Sequence, residues 1–434
     1  MSSIQLPSRD RLILSIMGGI GILSFIIIFM NDDANHTRVW TNLLHNAVFF
    51  TLIALMAIFF ICISITAYAG WNVVFRRVWD AMSQFLIIGL VLMTVIALGV
   101  YFGWHHLYHW ADEKVVATDE VLKGKSGFLN KNFYTIGGLG ILATWLFFAR
   151  KMRALTISED DHGNENWVHY NSMKKYAAAF LPIAGFSRAA VIWLWVMSLD
   201  AHWYSTMFAW YTAASCFVSM IALTILFLIY LKSKGYYQNV TAEHFHDLGK
   251  FMFAFSIFWT YLWFSQYMLI WYGNIGEETV YFQTRIRDYP VLFYGNLVMN
   301  FVLPFLILMR NDTKRKYGSL IVVAIIVVLG HWMDLFQMIK PGVLETAAHE
   351  LVSHVSEGAA QATTEGHQAA ATVVEHGGHE SSFKVGNNIP GLPELGLLIG
   401  FLALFFGSAL HFLSKASLTP KRDPFLQESL HHHV

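Results

Sequence analysis

The chain has 434 residues, 56% of them hydrophobic, 16% aromatic and only 13% charged, where an average soluble domain carries roughly a quarter charged residues. That deficit excludes a disordered chain and an ordinary water-soluble enzyme. The balance of 29 Lys plus Arg against 29 Asp plus Glu leaves no net field to hold a nucleic acid. Cys62 and Cys216 each lie inside an apolar run and read as small core residues, not as a disulfide framework or the four-thiolate set of an iron–sulfur centre. The composition is that of a polytopic, all-α membrane protein.

A span needs roughly 20 mostly apolar residues to cross a hydrocarbon layer about 30 Å thick. Ten segments qualify, near 12–30, 43–69, 84–104, 133–149, 177–199, 208–231, 248–271, 290–309, 318–338 and 393–413. The first reads as a retained span: it is long, lacks a small-residue cleavage site and runs straight into Asn31-Asp32-Asp33. Gly18-Gly19 and Gly137-Gly138 sit in apolar helices and are expected to serve helix packing. An even span count puts both termini on one face. The loops of that face carry about twice the Lys and Arg of the other, which predicts cytoplasmic termini. The stretch 340–392, rich in Ala, Glu, Thr and His, is predicted to be a polar insert on the periplasmic face, too polar for a core of its own.

Ionisable groups within a bilayer are costly and tend to mark sites or pathways. Arg188 falls near mid-span in PIAGFSRAAVIWLWVMSL; it pairs with a carboxylate of another helix or contacts a quinone, a proton route or a lipid. Asp200 and His202 stand in SLDAHWYSTMFAWYTAASC, at the outer junction of spans five and six. They could exchange protons with a small redox ligand, or form a belt of Trp and Tyr with a capping Asp. Span seven closes on Gln266, Tyr267, Trp271, Tyr272, Asn274, Glu277 and Glu278. Aromatic faces beside amide and phenol groups suit a flat ring with two carbonyls, though such aromatics also suit lipid or a partner. His331 and Asp334, in GHWMDLF of span nine, form a buried proton relay or a plain packing pair.

The remaining histidines point to no metal. His45 is expected at the outer end of span two, His331 at mid-depth and His411 at the inner end of span ten, so no pair is level for a bis-His haem. No CxxCH occurs. His105 and His109 have the i, i+4 spacing of a metal clip, but an interfacial position explains them more simply. HELVSH, His349 to His354, is one residue too long for HExxH. His431 to His433 lie in a polar tail.

The runs SLDAHWYSTMFAWYTAAS and DLGKFMFAFSIFWTYLWFSQYMLIWYGNIGEETVYF resemble the large integral-membrane subunits of bacterial alternative complex III, relatives of the NrfD and PsrC membrane subunits, and within them the ActF type, or second quinone-binding subunit. About 50 residues carry the resemblance. It implies two four-helix bundles of inverted orientation plus two peripheral helices, in the bacterial inner membrane. It implies a subunit of a quinol:cytochrome c or quinol:electron-acceptor oxidoreductase, with no metal redox centre of its own. Haem and iron–sulfur clusters would belong to partners: an iron–sulfur subunit, c-haem subunits and an ActC-type membrane subunit, with a terminal oxidase as a further candidate. Menaquinone or ubiquinone is the implied small molecule. The positions that match the shared motif are Asp200, His202, Gln266, Tyr267, Tyr272 and Glu277, as quinone-binding residues. Arg188, His331 and Asp334 rest on the membrane-polarity argument as a proton path. Two rivals stand beside this reading: a stand-alone secondary transporter, for which Pro182 and Pro304 are faint marks of broken helices, and a purely structural anchor.

Overall fold

A computed structural model of the protein describes residues 7–162, 167–361 and 389–433, with the side chains of 348–361 excepted. Among the described residues there is no strand. Ten long helices carry the fold: α1 (Ser8–Met30), α2 (Thr37–Thr66), α3 (Val73–Phe102), α4 (Phe133–His162), α5 (Val168–Leu199), α6 (Met207–Ser233), α7 (Ala242–Gly273), α8 (Pro290–Leu308), α9 (Tyr317–Gln361) and α10 (Leu392–Leu413). Every segment expected to span falls on one of them. Nine are long and apolar enough to cross a membrane. The other, α7, has ample length at 32 residues but spends its middle on Trp259, Tyr261, Trp263, Gln266 and Tyr267 rather than aliphatics.

The helices close into two rings of four, α2–α5 and α6–α9, joined where α2 packs on α6 and α9 and α5 packs on α6. Successive spans alternate in direction, so a bundle of four returns the chain to the face it started from. Both bundles are therefore entered from the same side of the membrane, and chain direction is not what distinguishes them. α2 and α6, at the junction, are buried around nearly their whole circumference, as a helix apolar on all sides must be.

α1 and α10 lie outside as a pair. They cross where a Cβ on Gly21 or on Gly400 would stand 2.6 Å from the other residue's Cα, and Gly396 and Gly400 supply the G-x-x-x-G spacing that lets backbones approach. The packing role expected of Gly18 and Gly19 is not theirs: both face open space, because the contact face of α1 runs through Gly21 and Ser24 instead. Gly138 does lie against a side chain, the indole of Trp195.

Two further departures concern the ends of helices. α9 runs unbroken through Pro341 to Gln361, 45 residues or about 67 Å, so the insert expected from 340 begins as a continuation of span nine. Residues 362–388 lie outside the described residues, as do the side chains of His349 and His354. On the face shared by the termini, an ion cluster sits inside the first bundle: Arg77 to Asp160 at 2.7 Å, Arg153 to Asp80 at 2.7 Å and Arg76 to Asp423 at 2.5 Å. Asp423 belongs to the C-terminal tail, which crosses both bundles. The Ser429 hydroxyl donates to the Trp71 carbonyl and accepts from the Val74 N–H, while His432 pairs with Asp247 of α7 at 2.6 Å. Of the tail histidines, His432 is thus part of the packing, while His431 and His433 are exposed.

Candidate functional site

The most polar part of the second bundle lies where α6, α7, α8 and α9 converge. Asp334 of α9 is 3% exposed. Its Oδ1 accepts the hydroxyl of Tyr211 from α6, and its Oδ2 accepts the indole N–H of Trp259 from α7 at 3.3 Å. No cation lies within ion-pair distance of it among the described residues. Gln337 stands one turn further along α9, on the same face, and its Oε1 accepts from Asn296 of α8 at 3.0 Å. Gln266 of α7 lines the same space.

A short helix, Gly276–Asp288, closes the end of the bundle remote from the termini. Arg285 there is sandwiched: its guanidinium lies 3.3 Å from the ring centroid of Tyr281, and it donates to Asp200 Oδ2 at 2.8 Å and to the Tyr281 carbonyl at 3.0 Å. Trp203 stacks on the other face of Tyr281 at 3.9 Å. This lid therefore ties the α5–α6 junction to the second bundle with one ion pair and two stacked rings.

The space beneath the lid, bounded by Tyr211, Gln266, Arg285, Asp334 and Gln337, holds about 20 Å³. That admits a water molecule, for which roughly 10–15 Å³ suffices, and no quinone ring. Around and below it, the buried polar atoms Gln266 Nε2, Gln337 Nε2, Asn296 Oδ1, Arg285 Nε, His331 Nε2 and both side-chain polar atoms of Asn300 have no protein partner. Groups of this kind are what buried water binds. Asn300 sits in a π-helical turn, Val298–Val302, that interrupts α8; such turns are frequent at functional sites.

The expected site residues separate into three groups. Asp200, Gln266 and Asp334 are brought to this one region. His331 lies on α9 one turn from Asp334, but the two are not bonded: His331 Nδ1 meets Ser215 at 3.1 Å, and the Trp259 indole stands edge-on to the His331 ring at 5.3 Å. Tyr267 is half-buried among Trp263, Phe282 and Phe293. Tyr272 is 83% exposed and Glu277 is exposed, so both face the surroundings and not the cavity. His202 points elsewhere, into the segment that joins α3 to α4, where its Nε2 meets Asp119 at 2.5 Å. The N–H of Leu122, together with His202, holds the Asp119 carboxyl below the usual carboxylate range. The six residues expected to hold a quinone therefore do not line one pocket.

Arg188 meets no carboxylate among the described residues. It donates to the Ala209 carbonyl and to Thr212 Oγ1 of α6, and no ion pair is found for it among the described residues. It fastens the first bundle to the second. His45 also differs from expectation. α2 begins at Thr37, several residues before the predicted start, so His45 lies about 12 Å in, level with span nine, and its Nε2 meets the Trp332 carbonyl at 2.8 Å.

Sequence reasoning missed Tyr211, Arg285, Gln337, Asn296 and Asn300. Tyr211 was in view, inside the motif MFAWYTAAS. Gln337 follows Asp334 by three residues, the spacing of one helix face. Arg285 looked like ordinary loop charge. No family model matches the chain, and a search of curated proteins found no match.

Proposed function

We propose that this membrane-helical protein is a subunit, itself without haem or iron–sulfur centre, of a respiratory quinol-oxidising complex of the alternative complex III type, and that it handles protons while partner subunits oxidise quinol. The observation that carries the reading is Asp334. It is a carboxyl held by two neutral donors, Tyr211 and Trp259, inside a water-sized polar space, where burying a fixed charge costs several kcal/mol. Such a group is suited to taking up and releasing a proton through adjacent water. Gln266, Gln337 and Asn296 offer amide groups on the way to the Asp200–Arg285 pair at the outer end. The dispersal of Tyr272, Glu277 and His202 and the smallness of the cavity favour a quinol site on a partner, so no quinone step is assigned to this chain. The partners are the iron–sulfur, c-haem and ActC-type subunits that the sequence resemblance implies. The setting is a bacterial inner membrane with both termini inside.

Asp334→Asn in the assembled complex tests this. The number of protons translocated per electron falls while reduction of the acceptor persists. An unchanged proton yield in a correctly assembled variant overturns the proton-handling role and leaves the anchor.

A stand-alone transporter is the second reading. It is favoured by a specific coincidence: the third helix of each bundle carries a π-helical turn, Phe133–Gly137 in α4 and Val298–Val302 in α8. The first turn opens α4 and the second lies eight residues into α8; helices interrupted in both halves mark substrate sites in secondary transporters. Pro304 directly follows the second turn. A transporter emerges from purification without haem-bearing partners.

A further inference from the structure

α1 does not close against the bundle. It packs along α10 and touches α2, while its tie to α6 is polar and confined to one end: Asp10 accepts from the Tyr230 hydroxyl at 2.8 Å and from Lys234 at 2.9 Å. Beneath that tie, Ile13, Leu14, Met17, Phe227, Phe406 and Leu410 wall a groove between α1, α6 and α10. It holds about 250 Å³, more than ten times the space beside Asp334. Its lining is apolar except for Asp10 and Tyr230.

The charges at its mouth are one-sided. Arg9 and Arg11 flank Asp10 on the first turn of α1 and are exposed. Lys234 caps the end of α6 and Lys415, exposed, follows the last turn of α10, while Lys232 turns away to donate to the Gln238 and Val240 carbonyls. Among the described residues Asp10 is the single carboxylate lining the groove, and Lys234 and Tyr230 already engage it. Three helix ends therefore bring an excess of cations to the rim of an acyl-sized slot at the membrane surface. Basic pockets between transmembrane helices have the chemistry of an anionic phospholipid site.

We propose that this groove holds one anionic phospholipid, its acyl chain between α1 and α6 and its phosphate among Arg9, Arg11 and Lys234. The lipid fills the gap that the α1–α10 packing leaves, so α1 is joined to the second bundle through lipid as well as through Asp10. The proposal is independent of the proton-handling role.

The test uses the full chain, stripped of lipid in a mild nonionic detergent and titrated with phosphatidylglycerol or with phosphatidylcholine of the same acyl chains. Thermal midpoint and bound phosphorus are read together. Phosphatidylglycerol raises the midpoint at a mole fraction at least tenfold lower than phosphatidylcholine does. In the double variant Arg9→Gln, Arg11→Gln the phosphatidylglycerol requirement rises roughly thirtyfold, from about 1 kcal/mol per surface cation, while the phosphatidylcholine response stays. Filling the groove with Leu14→Trp removes the response to both lipids. Equal responses of the unaltered protein to the two lipids overturn the proposal, as does a double variant whose phosphatidylglycerol requirement is unchanged. A Leu14→Trp protein that binds as before overturns the placement in the groove.

Discussion

The Arg285–Asp200 pair offers the sharpest energetic test of the site's construction. Its side chains are 4% and 12% exposed, with the charged atoms 2.8 Å apart. Removing one partner of a buried pair strands the other charge and costs about 3–5 kcal/mol. Arg285→Met also forfeits the stacking on Tyr281, worth about 0.5–2 kcal/mol. Globular proteins gain about 2.1 cal/mol/K per residue on unfolding, which scales to about 0.9 kcal/mol/K for this length, so Asp200→Asn should melt about 3–6 °C lower and Arg285→Met about 4–8 °C lower. Asp200→Asn leaves the guanidinium its carbonyl bond to Tyr281 and should fall at the mild end. The double variant removes both charges together, and an uncharged replacement of a buried pair is close to neutral. It should therefore melt no lower than Arg285→Met alone, a coupling of at least about 3 kcal/mol. Thermal unfolding of the three proteins in mild detergent measures this. If the double variant loses the sum of the two single losses to within about 0.5 kcal/mol, the pair is not coupled and the lid is not built as described.

Other consequences are as direct. Asp119 accepts from the N–H groups of Val121 and Leu122 at 2.9 and 3.1 Å, and its carboxyl titrates below the ordinary value of about 3.9. A depressed acid stabilises the fold above the unfolded pKa and loses that contribution as pH falls through the folded one. The protection factors of the Val121 and Leu122 amides, taken against the intrinsic exchange rate at each pH, should thus be high at pH 6 and fall below about pH 4; Asp119→Asn should abolish the acid-side change. Gly21→Leu pushes a side chain into the Gly400 backbone and should destabilise the α1–α10 pair by about 1–3 kcal/mol, read as easier proteolytic release of α1. Gly18→Leu, facing open space, should release no faster than the unaltered chain. Asp423→Ala leaves Arg76 with only the distant Glu159, 3.9 Å away, so trypsin should cut at Lys421 or Arg422 in the variant far sooner than in the intact tail.

The fold was legible because lipid makes composition speak plainly. A chain with 13% charge and ten apolar runs has few ways to satisfy its backbone other than helices, and all ten runs are helical. What the composition left dark were the helix ends. α4 and α9 continue into polar sequence, RKMRALTISEDDH and PGVLETAAHE, that propensity and geometry support but hydropathy marks as outside. The site was half legible. A membrane-buried carboxylate such as Asp334 announces itself by cost alone, whereas Arg285 looks like interfacial charge until its contact with Asp200 buries it. The charged interior around Arg77, Asp80, Arg153 and Asp160 stayed invisible for the same reason: its members come from separate helices and the tail, and only their pairing makes the burial tolerable. Tyr272 and His202 show the reverse error, since neighbours in sequence at a helix end diverge by a third of a turn per residue.

The claim at the centre is that this bundle serves neighbours that carry electrons. Isolation of the chain under mild detergent, with absorption spectra and identification of the accompanying proteins, tests it most directly. The account predicts co-purifying c-haem and iron–sulfur subunits, with all haem absorption lost when this chain is separated from them. A chain that emerges alone, or that retains stoichiometric haem once separated, contradicts it.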